Sequence, residues 1–413
     1  MNEEIVVIGA GIVGASCAAR LVMAGKKVVI VDRLAPGDAC SFGNAGGLSP
    51  TISFPLATPD MYRQIPGWLT DPDGPLVVDW KYLPKAAPWL LRFLREGSPA
   101  RSAAAAQGMR TMMRGVFEDY QPLFKFAGAE ALIHRVGQLY VFDTDAGFAK
   151  EQGAIKARRE LGLAQEVLDS HGIRDREPGL DARFKHGVYL PTHGHCANPQ
   201  RLVQMLVQAC IEAGARFVSG SVKGVEPVAG GVRVHGLGES LTAASVILAG
   251  GVWSNELLRP LGCAVPLESH RGYHVQLPYG TAKRPSRNVM WTEMKTLATP
   301  MDGGLRIAGT AEIAGIHAEP NERRFELLQR IAGQMYGGLE PRGATRWMGH
   351  RPCTPDSLPV IGALPRDSRI ICAFGHGHVG LSGASFTARV VKGIVLGEDT
   401  QPEWKAFSPQ RYL

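Results

Sequence analysis

The chain has 413 residues, 45% of them hydrophobic and 20% charged. That supplies apolar material for a large core and two domains, and it excludes a disordered chain. The net charge is +7, yet no Lys/Arg block stands out, so the excess reads as a basic solvated surface and not as a nucleic-acid interface.

Glu4-Ile5-Val6-Val7-Ile8 opens the chain as a short apolar run of the kind that makes a buried parallel strand. Gly9-Ala10-Gly11-Ile12-Val13-Gly14 follows at once. Next comes a helical stretch with Val13, Cys17 and Leu21 four apart and Gly25 at its C-terminal cap. A second apolar run, Val28 to Val31, ends in Asp32. Strand, glycine turn, helix, strand and acid together describe a dinucleotide site. Gly9 permits the tight turn, Gly11 lets backbone N–H groups approach a pyrophosphate, and Gly14 lets the helix lie close on the sheet. The helix N-terminus faces the phosphates, and Asp32 accepts hydrogen bonds from ribose hydroxyls.

Ser41-Phe42-Gly43-Asn44-Ala45-Gly46-Gly47-Leu48-Ser49-Pro50 is rich in small residues. Its place just after the nucleotide unit favours cofactor contact over a free surface loop. Residues 61–94 carry Trp68, Trp80, Pro84, Pro88 and Trp89. Short helices are predicted there, serving as a substrate lid, a membrane-touching surface or the packing of a second domain. Ala100 to Phe126 reads as helix, Leu139 to Phe142 as strand, Phe148 to Leu161 as helix and Gly187 to Leu190 as strand. Asn198-Pro199 opens a clear helix, with Asn as N-cap and Pro at the first position. Residues 216–221, 224–226 and 232–235 are predicted as a β-meander. Ser245 to Leu248, followed by Ala249-Gly250-Gly251, returns to the parallel sheet, so the nucleotide unit is interrupted in sequence. Residues 265–277 and 288–309 read as antiparallel strands, and 321–335 as an amphipathic helix. Ile370 to Phe374 is a core strand, followed by Gly375-His376-Gly377-His378-Val379-Gly380 and a closing helix from Leu381 to Leu396.

The seven cysteines are widely spaced and form no CxxC pair, which fits reduced thiols and a cytoplasmic location. No signal peptide is read, and no run approaches the roughly eighteen or more apolar residues of a membrane span; peripheral contact with the inner face of a membrane is compatible with both. His and Cys show no metal-ligand spacing, and no GxSxG elbow marks a hydrolase.

The glycine fingerprint, the 41–50 segment, Trp347-Met348-Gly349-His350-Arg351-Pro352-Cys353-Thr354-Pro355-Asp356, Pro359-Val360-Ile361-Gly362 and the 375–380 segment occur in this order. With them the chain resembles the FAD-dependent D-amino-acid oxidase superfamily over nearly its whole length, and within it the bacterial D-amino-acid dehydrogenases. The resemblance implies an α/β fold: a Rossmann-like FAD-binding domain from 1–55, 187–262 and 346–413, and an α+β substrate domain with a large antiparallel sheet from 56–186 and 263–345. It implies hydride removal from the α-carbon of a D-amino acid to flavin, hydrolysis of the imine to a 2-oxo acid and ammonia, and a quinone or other electron acceptor. D-hydroxyproline, a cyclic imino acid, and sarcosine or glycine are alternative substrates. A tRNA-modifying flavoprotein is a remoter reading that the lack of a basic-aromatic patch counts against.

Arg351 is the expected clamp for the substrate carboxylate, since a guanidinium forks onto it in bidentate geometry. Tyr273 is a candidate for the second carboxylate oxygen or, equally, a core aromatic. Asn44 is a candidate for orienting substrate or flavin. His378 and His376 are either added donors near the flavin or structural. The 375–382 backbone and the helix end are expected to stabilise negative charge on the reduced flavin. The expected cofactor set is Gly9, Ala10, Gly11, Ile12, Val13, Gly14, Asp32, Arg33, Ser41, Asn44, Ala45, Gly46, Gly47, Leu48, Val222, Ala249, Gly250, Gly251, Trp253, Arg351, Gly375, His376, Gly377, His378, Val379, Gly380, Leu381 and Ser382. Cys353 reads as a structural thiol.

Overall fold

The computed structural model describes residues 3–51, 55–59, 61, 71, 74–238, 240–398 and 402–413. A six-stranded sheet runs in the order Arg216–Ser219, Val28–Asp32, Ile5–Ile8, Ser245–Leu248, Asp367–Phe374, Val360–Leu364. Its neighbours pair in parallel except the last two, which are antiparallel. Ile5 and Val7 enter a core shared with the helices Ile12–Met23, Pro199–Glu212 and Gly380–Leu396. Val6 and Ile8 enter a second core beneath a small antiparallel sheet of Gly224–Val228, Gly231–His235 and Leu241–Ala243. Burial on both faces is why this run is continuously apolar.

The predicted meander needs one correction. Arg216–Ser219 extends the parallel sheet alongside Val28–Asp32. It is an edge strand with only partly buried residues, so its pattern does not announce a core strand.

The second sheet has nine strands among the described residues, in the order Thr345–Cys353, Glu268–Leu277, Gly304–Ile313, Thr296–Met301, Asn288–Trp291, Gln138–Phe142, His186–Leu190, Glu166–Asp169, with Leu76–Val78 pairing to the end of Gly304–Ile313. His186–Leu190 and Thr345–Cys353 hydrogen-bond within it, whereas boundaries at 187 and 346 place them in the nucleotide unit. Each strand leads the chain from one sheet toward the other. Helix Glu322–Met335 covers one face, packing Phe325, Leu328, Ile331 and Met335 against Val275 and Leu277.

Other differences are local. The helical stretch predicted over 100–126 is two helices, Pro99–Met113 and Val116–Ala127, separated at Arg114 and Gly115. In the Trp/Pro-rich region the helix is Leu83–Glu96; Trp89 is buried and Trp80 is exposed, while Trp68 lies outside the described residues. A third, short sheet joins Gly47–Leu48 to Gly194–Cys196 and that strand to Ile133–His134. Among the described residues, no helix is long and apolar enough to cross a membrane, and no His/Cys/Asp/Glu group could hold a metal ion.

Candidate active site

The three glycines of the first turn have separable roles. Gly9 has φ +115°, and a Cβ there would lie 2.4 Å from the Ala249 carbonyl oxygen. A Cβ on Gly14 would lie 1.8 Å from the Gly9 oxygen, so the helix meets the strand backbone to backbone. Above Gly11 the nearest atom to such a Cβ is Ser41 Oγ, 3.6 Å away. That opening sits at the start of the Ile12–Met23 helix, where first-turn N–H groups lack intrahelical acceptors. Ile12 N–H donates to Ser41 Oγ at 2.9 Å, which ties the small-residue segment to the same helix end.

An open trench, about 1330 Å³ with its solvent-facing mouth included, runs from this turn. Its lining includes Gly9, Gly11, Ile12, Val13, Asp32, Arg33, Ser41, Asn44, Val222, Ala249, Gly250, Gly251, Trp253, Gly375, His376, Gly377, Gly380 and Leu381. Asp32 is oriented by two backbone donors, Ala10 N–H at 2.7 Å and Leu34 N–H at 3.0 Å. A carboxylate has lone pairs beyond these two, and the residue lines the trench. The Arg33 guanidinium lies 4.5 Å from the centre of the Trp253 ring, forming a flat wall beside Val222.

Other contacts fix the lining and the segments behind it. Asn44 Oδ1 accepts from Gly46 N–H at 2.8 Å, which leaves its amide NH₂ free to face the trench. Thr299 Oγ1 donates to the Ala45 carbonyl at 2.7 Å. Ser382 Oγ donates to the Gly47 carbonyl at 3.2 Å and accepts from Ser49 N–H at 3.3 Å, so the closing helix grips the segment. Leu48 and Val379 are core residues. His376 lines the trench, but its Nε2 is 2.7 Å from Thr387 Oγ1. Burial pushes its imidazole down to about 3. Cys40, Gly220, Ser221, Glu256, His350, Pro352 and Phe374 also line the trench; His350 and Pro352 lie in the 347–356 motif and Cys40 and Phe374 adjoin the 41–50 and 375–380 segments, whereas Gly220, Ser221 and Glu256 stand in no motif.

Beside the trench, strands Glu268–Leu277 and Thr345–Cys353 place directly opposed residues on one face: His270 with Arg351, Gly272 with Gly349, His274 with Trp347. The two facing glycines leave a hollow in the sheet. A Cβ on Gly272 would lie 2.4 Å from Arg351 Cζ, and one on Gly349 would lie 2.0 Å from Trp347 Cη2. The guanidinium and the indole therefore both lie down over the glycine couple. Arg351 Nη1 donates to the Thr310 carbonyl at 3.0 Å, and among the described residues no carboxylate pairs with it. Burial lowers its pKa, with Cys353 and Cys40 opposing; an arginine so placed remains a cation. His378 is near this cation and solvent-exposed.

Tyr273 is on the other face. It packs edge-on against Phe325, its hydroxyl donates to Glu312, and that carboxylate also pairs with Arg271 at 3.0 Å. Side chains alternate along a strand, so the residue next to Gly272 points into the core, away from the Gly272–Gly349 hollow. Arg306 is a further buried cation. Its Nη1 donates to the carbonyls of Phe42 at 2.8 Å and Asn44 at 2.7 Å, and its Nε to Gln276 Oε1 at 3.0 Å. Burial pushes the Cys353 thiol up to about 12 and the Cys40 thiol up to about 11, so neither is a ready nucleophile.

The family model described as FAD dependent oxidoreductase, DAO, matches residues 4–393. A "D-amino-acid oxidase" of Bradyrhizobium diazoefficiens is 36% identical over 100% of this chain and 99% of its own length. A "D-amino acid dehydrogenase" of the same organism is 30% identical over 99% of each. Among solved structures, glycine oxidase from Geobacillus kaustophilus superposes with TM-score 0.75 at 18% identity, covering 100% of both chains. Iminodiacetate oxidase from Chelativorans sp. BNC1 gives TM-score 0.73 at 21% identity, covering 98% of both. At such identities the structures speak for the fold. The trench fits the dinucleotide this family uses: it is open over Gly11, carries the oriented Asp32 carboxylate, and has a stacked wall at Arg33 and Trp253.

Proposed function

The chain belongs to the FAD-dependent oxidoreductase family, and on that premise we propose that it oxidises a D-amino acid at the α-carbon. The product is an imine, which hydrolyses to a 2-oxo acid and ammonia. The electrons pass to a quinone or another acceptor. The names of the two curated relatives support the D-amino-acid reading. The observation that carries it is Arg351: a partly buried cation without a carboxylate partner among the described residues, laid flat over Gly272 between the trench-lining His350 and Pro352.

FAD, when bound, supplies the hydride acceptor. Gly9 to Gly14, Asp32, Arg33 and Trp253 would hold its adenosine and phosphate portion. Asn44 and the backbone of Gly375 to Gly380, at the start of the Gly380–Leu396 helix, would lie beside its reactive ring. The positive end of that helix favours negative charge there.

Arg351 docks the substrate's acid by its two remaining N–H edges, with Nη1 anchored on Thr310. His270 and His274 are held below their ordinary pKa, chiefly by desolvation. The same desolvation and the Arg351 cation disfavour a second positive charge beside the docked acid, so the amine reacts in its neutral form. The exposed Trp80 and Leu91, flanking and within the Leu83–Glu96 helix, are where peripheral membrane contact would rest.

The test is anaerobic addition of D-amino acids to the flavin-loaded protein, followed by the visible absorbance of the flavin. Loss of colour with one or more D-amino acids is expected. The panel includes D-hydroxyproline, sarcosine and glycine, and bleaching by these alone moves the assignment to imino acids or glycine. Colour that persists with every compound sinks the proposal.

A further inference from the structure

Thr310 carries two energetic penalties at once. Its φ is +56°, a left-handed conformation that β-branched residues rarely adopt. Its Oγ1 is buried without a hydrogen-bond partner, in a residue only 5% exposed. The position is a bulge: Arg271 opposes Glu312 while Tyr273 opposes Gly309, so three steps on one strand meet two on the other. There the chain leaves its Thr296–Met301 neighbour and takes Leu76–Val78 instead. The bulge turns the Thr310 carbonyl onto Arg351 Nη1. Directly across the ladder from Arg351 stands His270, also 5% exposed, whose Nε2 is buried without a partner.

A glycine at 310 would incur neither penalty, so a ligand that uses the hydroxyl would explain both. We propose that Thr310 Oγ1 and His270 Nε2–H are donors to the carboxylate held by Arg351, so that one acid subsite is built from three adjacent strands. It gives Thr310 the hydroxyl role first considered for Tyr273. The assignment rests on the reading that a substrate carboxylate docks on Arg351.

The probe is pyrrole-2-carboxylate, a planar acid that mimics an imine product and has no α-hydrogen to lose. Its Kd is read on the flavin-loaded protein from the perturbation of the flavin spectrum. Thr310→Val is expected to weaken binding about ten- to a hundredfold, the worth of a hydrogen bond to a charged group, and Thr310→Ser to bind close to wild type. Thr310→Gly is expected to weaken binding as Thr310→Val does while raising the thermal midpoint of the unliganded protein, because the strain and the orphaned hydroxyl both vanish. A merely structural residue would not move the two readouts in opposite directions. His270→Leu is expected to weaken the probe as well. The proposal is overturned if Thr310→Val or Thr310→Gly binds the probe like wild type while Arg351→Met does not bind it. If Thr310→Val does not fold, Thr310→Gly decides alone. If wild type neither binds the probe nor bleaches with any amine, the Arg351 reading fails first.

Discussion

Gly272 is what allows Arg351 to lie flat: a single added methyl would stand 2.4 Å from the guanidinium carbon. Gly272→Val is therefore expected to lift the guanidinium out of the hollow and away from the Thr310 carbonyl. A displacement of about 1 Å at a positioned group costs roughly a hundredfold in kcat/KM. Steady-state kinetics and the flavin content of the purified variant check this, because flavin binding is expected to survive.

Tyr273→Phe separates the core from the site. The hydroxyl serves Glu312 together with Arg271 and the Asn321 side-chain amide. Losing it leaves a buried carboxylate short of one donor, for about 1–3 kcal/mol of stability. The Kd of a carboxylate ligand is expected to stay put while the denaturant midpoint falls. A ligand affinity that drops with stability unchanged would return Tyr273 to the substrate.

Arg306→Met is expected to loosen the cofactor. Two loop carbonyls, Phe42 and Asn44, lose their donor, and the loop between them also takes His274 Nδ1–H on the Gly43 carbonyl at 3.1 Å. Leaving these groups unpaired costs about 1–3 kcal/mol each, so flavin affinity should fall at least about tenfold. Equilibrium dialysis of the holoprotein measures it.

Acid should destabilise the chain early. His193, His195, His270, His274 and His376 are buried, and desolvation pushes each down to about 3. A folded-state pKa below the unfolded value of about 6.5 means that, as pH falls, the unfolded chain takes protons the folded chain refuses. Stability is intact above about pH 6.5 and drains away toward about pH 3. At pH 5 each imidazole contributes a loss on the order of 2 kcal/mol, and the set together is comparable to the whole stability of a typical domain. Glu177 and Glu268, raised chiefly by burial, act in the opposite direction. The thermal midpoint is expected to drop clearly between pH 7 and pH 5; a flat profile contradicts the buried neutral imidazoles.

The nucleotide half was legible because its signals are local. Gly9, Gly11, Gly14 and Asp32 lie within one strand–helix–strand unit, and each one's work is fixed by neighbours close in sequence. Arg351 was legible through its motif. The substrate face was not: the Gly272–Gly349 hollow exists only once two distant strands are set in register, and a slip of one residue would turn every side chain over. The same parity puts Tyr273 in the core, one of the two readings its sequence left open. Thr310 has no sequence signal at all, because a bulge is a property of a pair of strands.

The short ladder of Gly47–Leu48, Gly194–Cys196 and Ile133–His134 crosses from the nucleotide half to the nine-stranded half, with Ser382 pinning its first strand. It acts as a seam sewn through the floor of the reaction chamber. Prising the halves apart would pull on the segment that carries the trench-lining Ser41 and Asn44, so little relative motion of the two is expected.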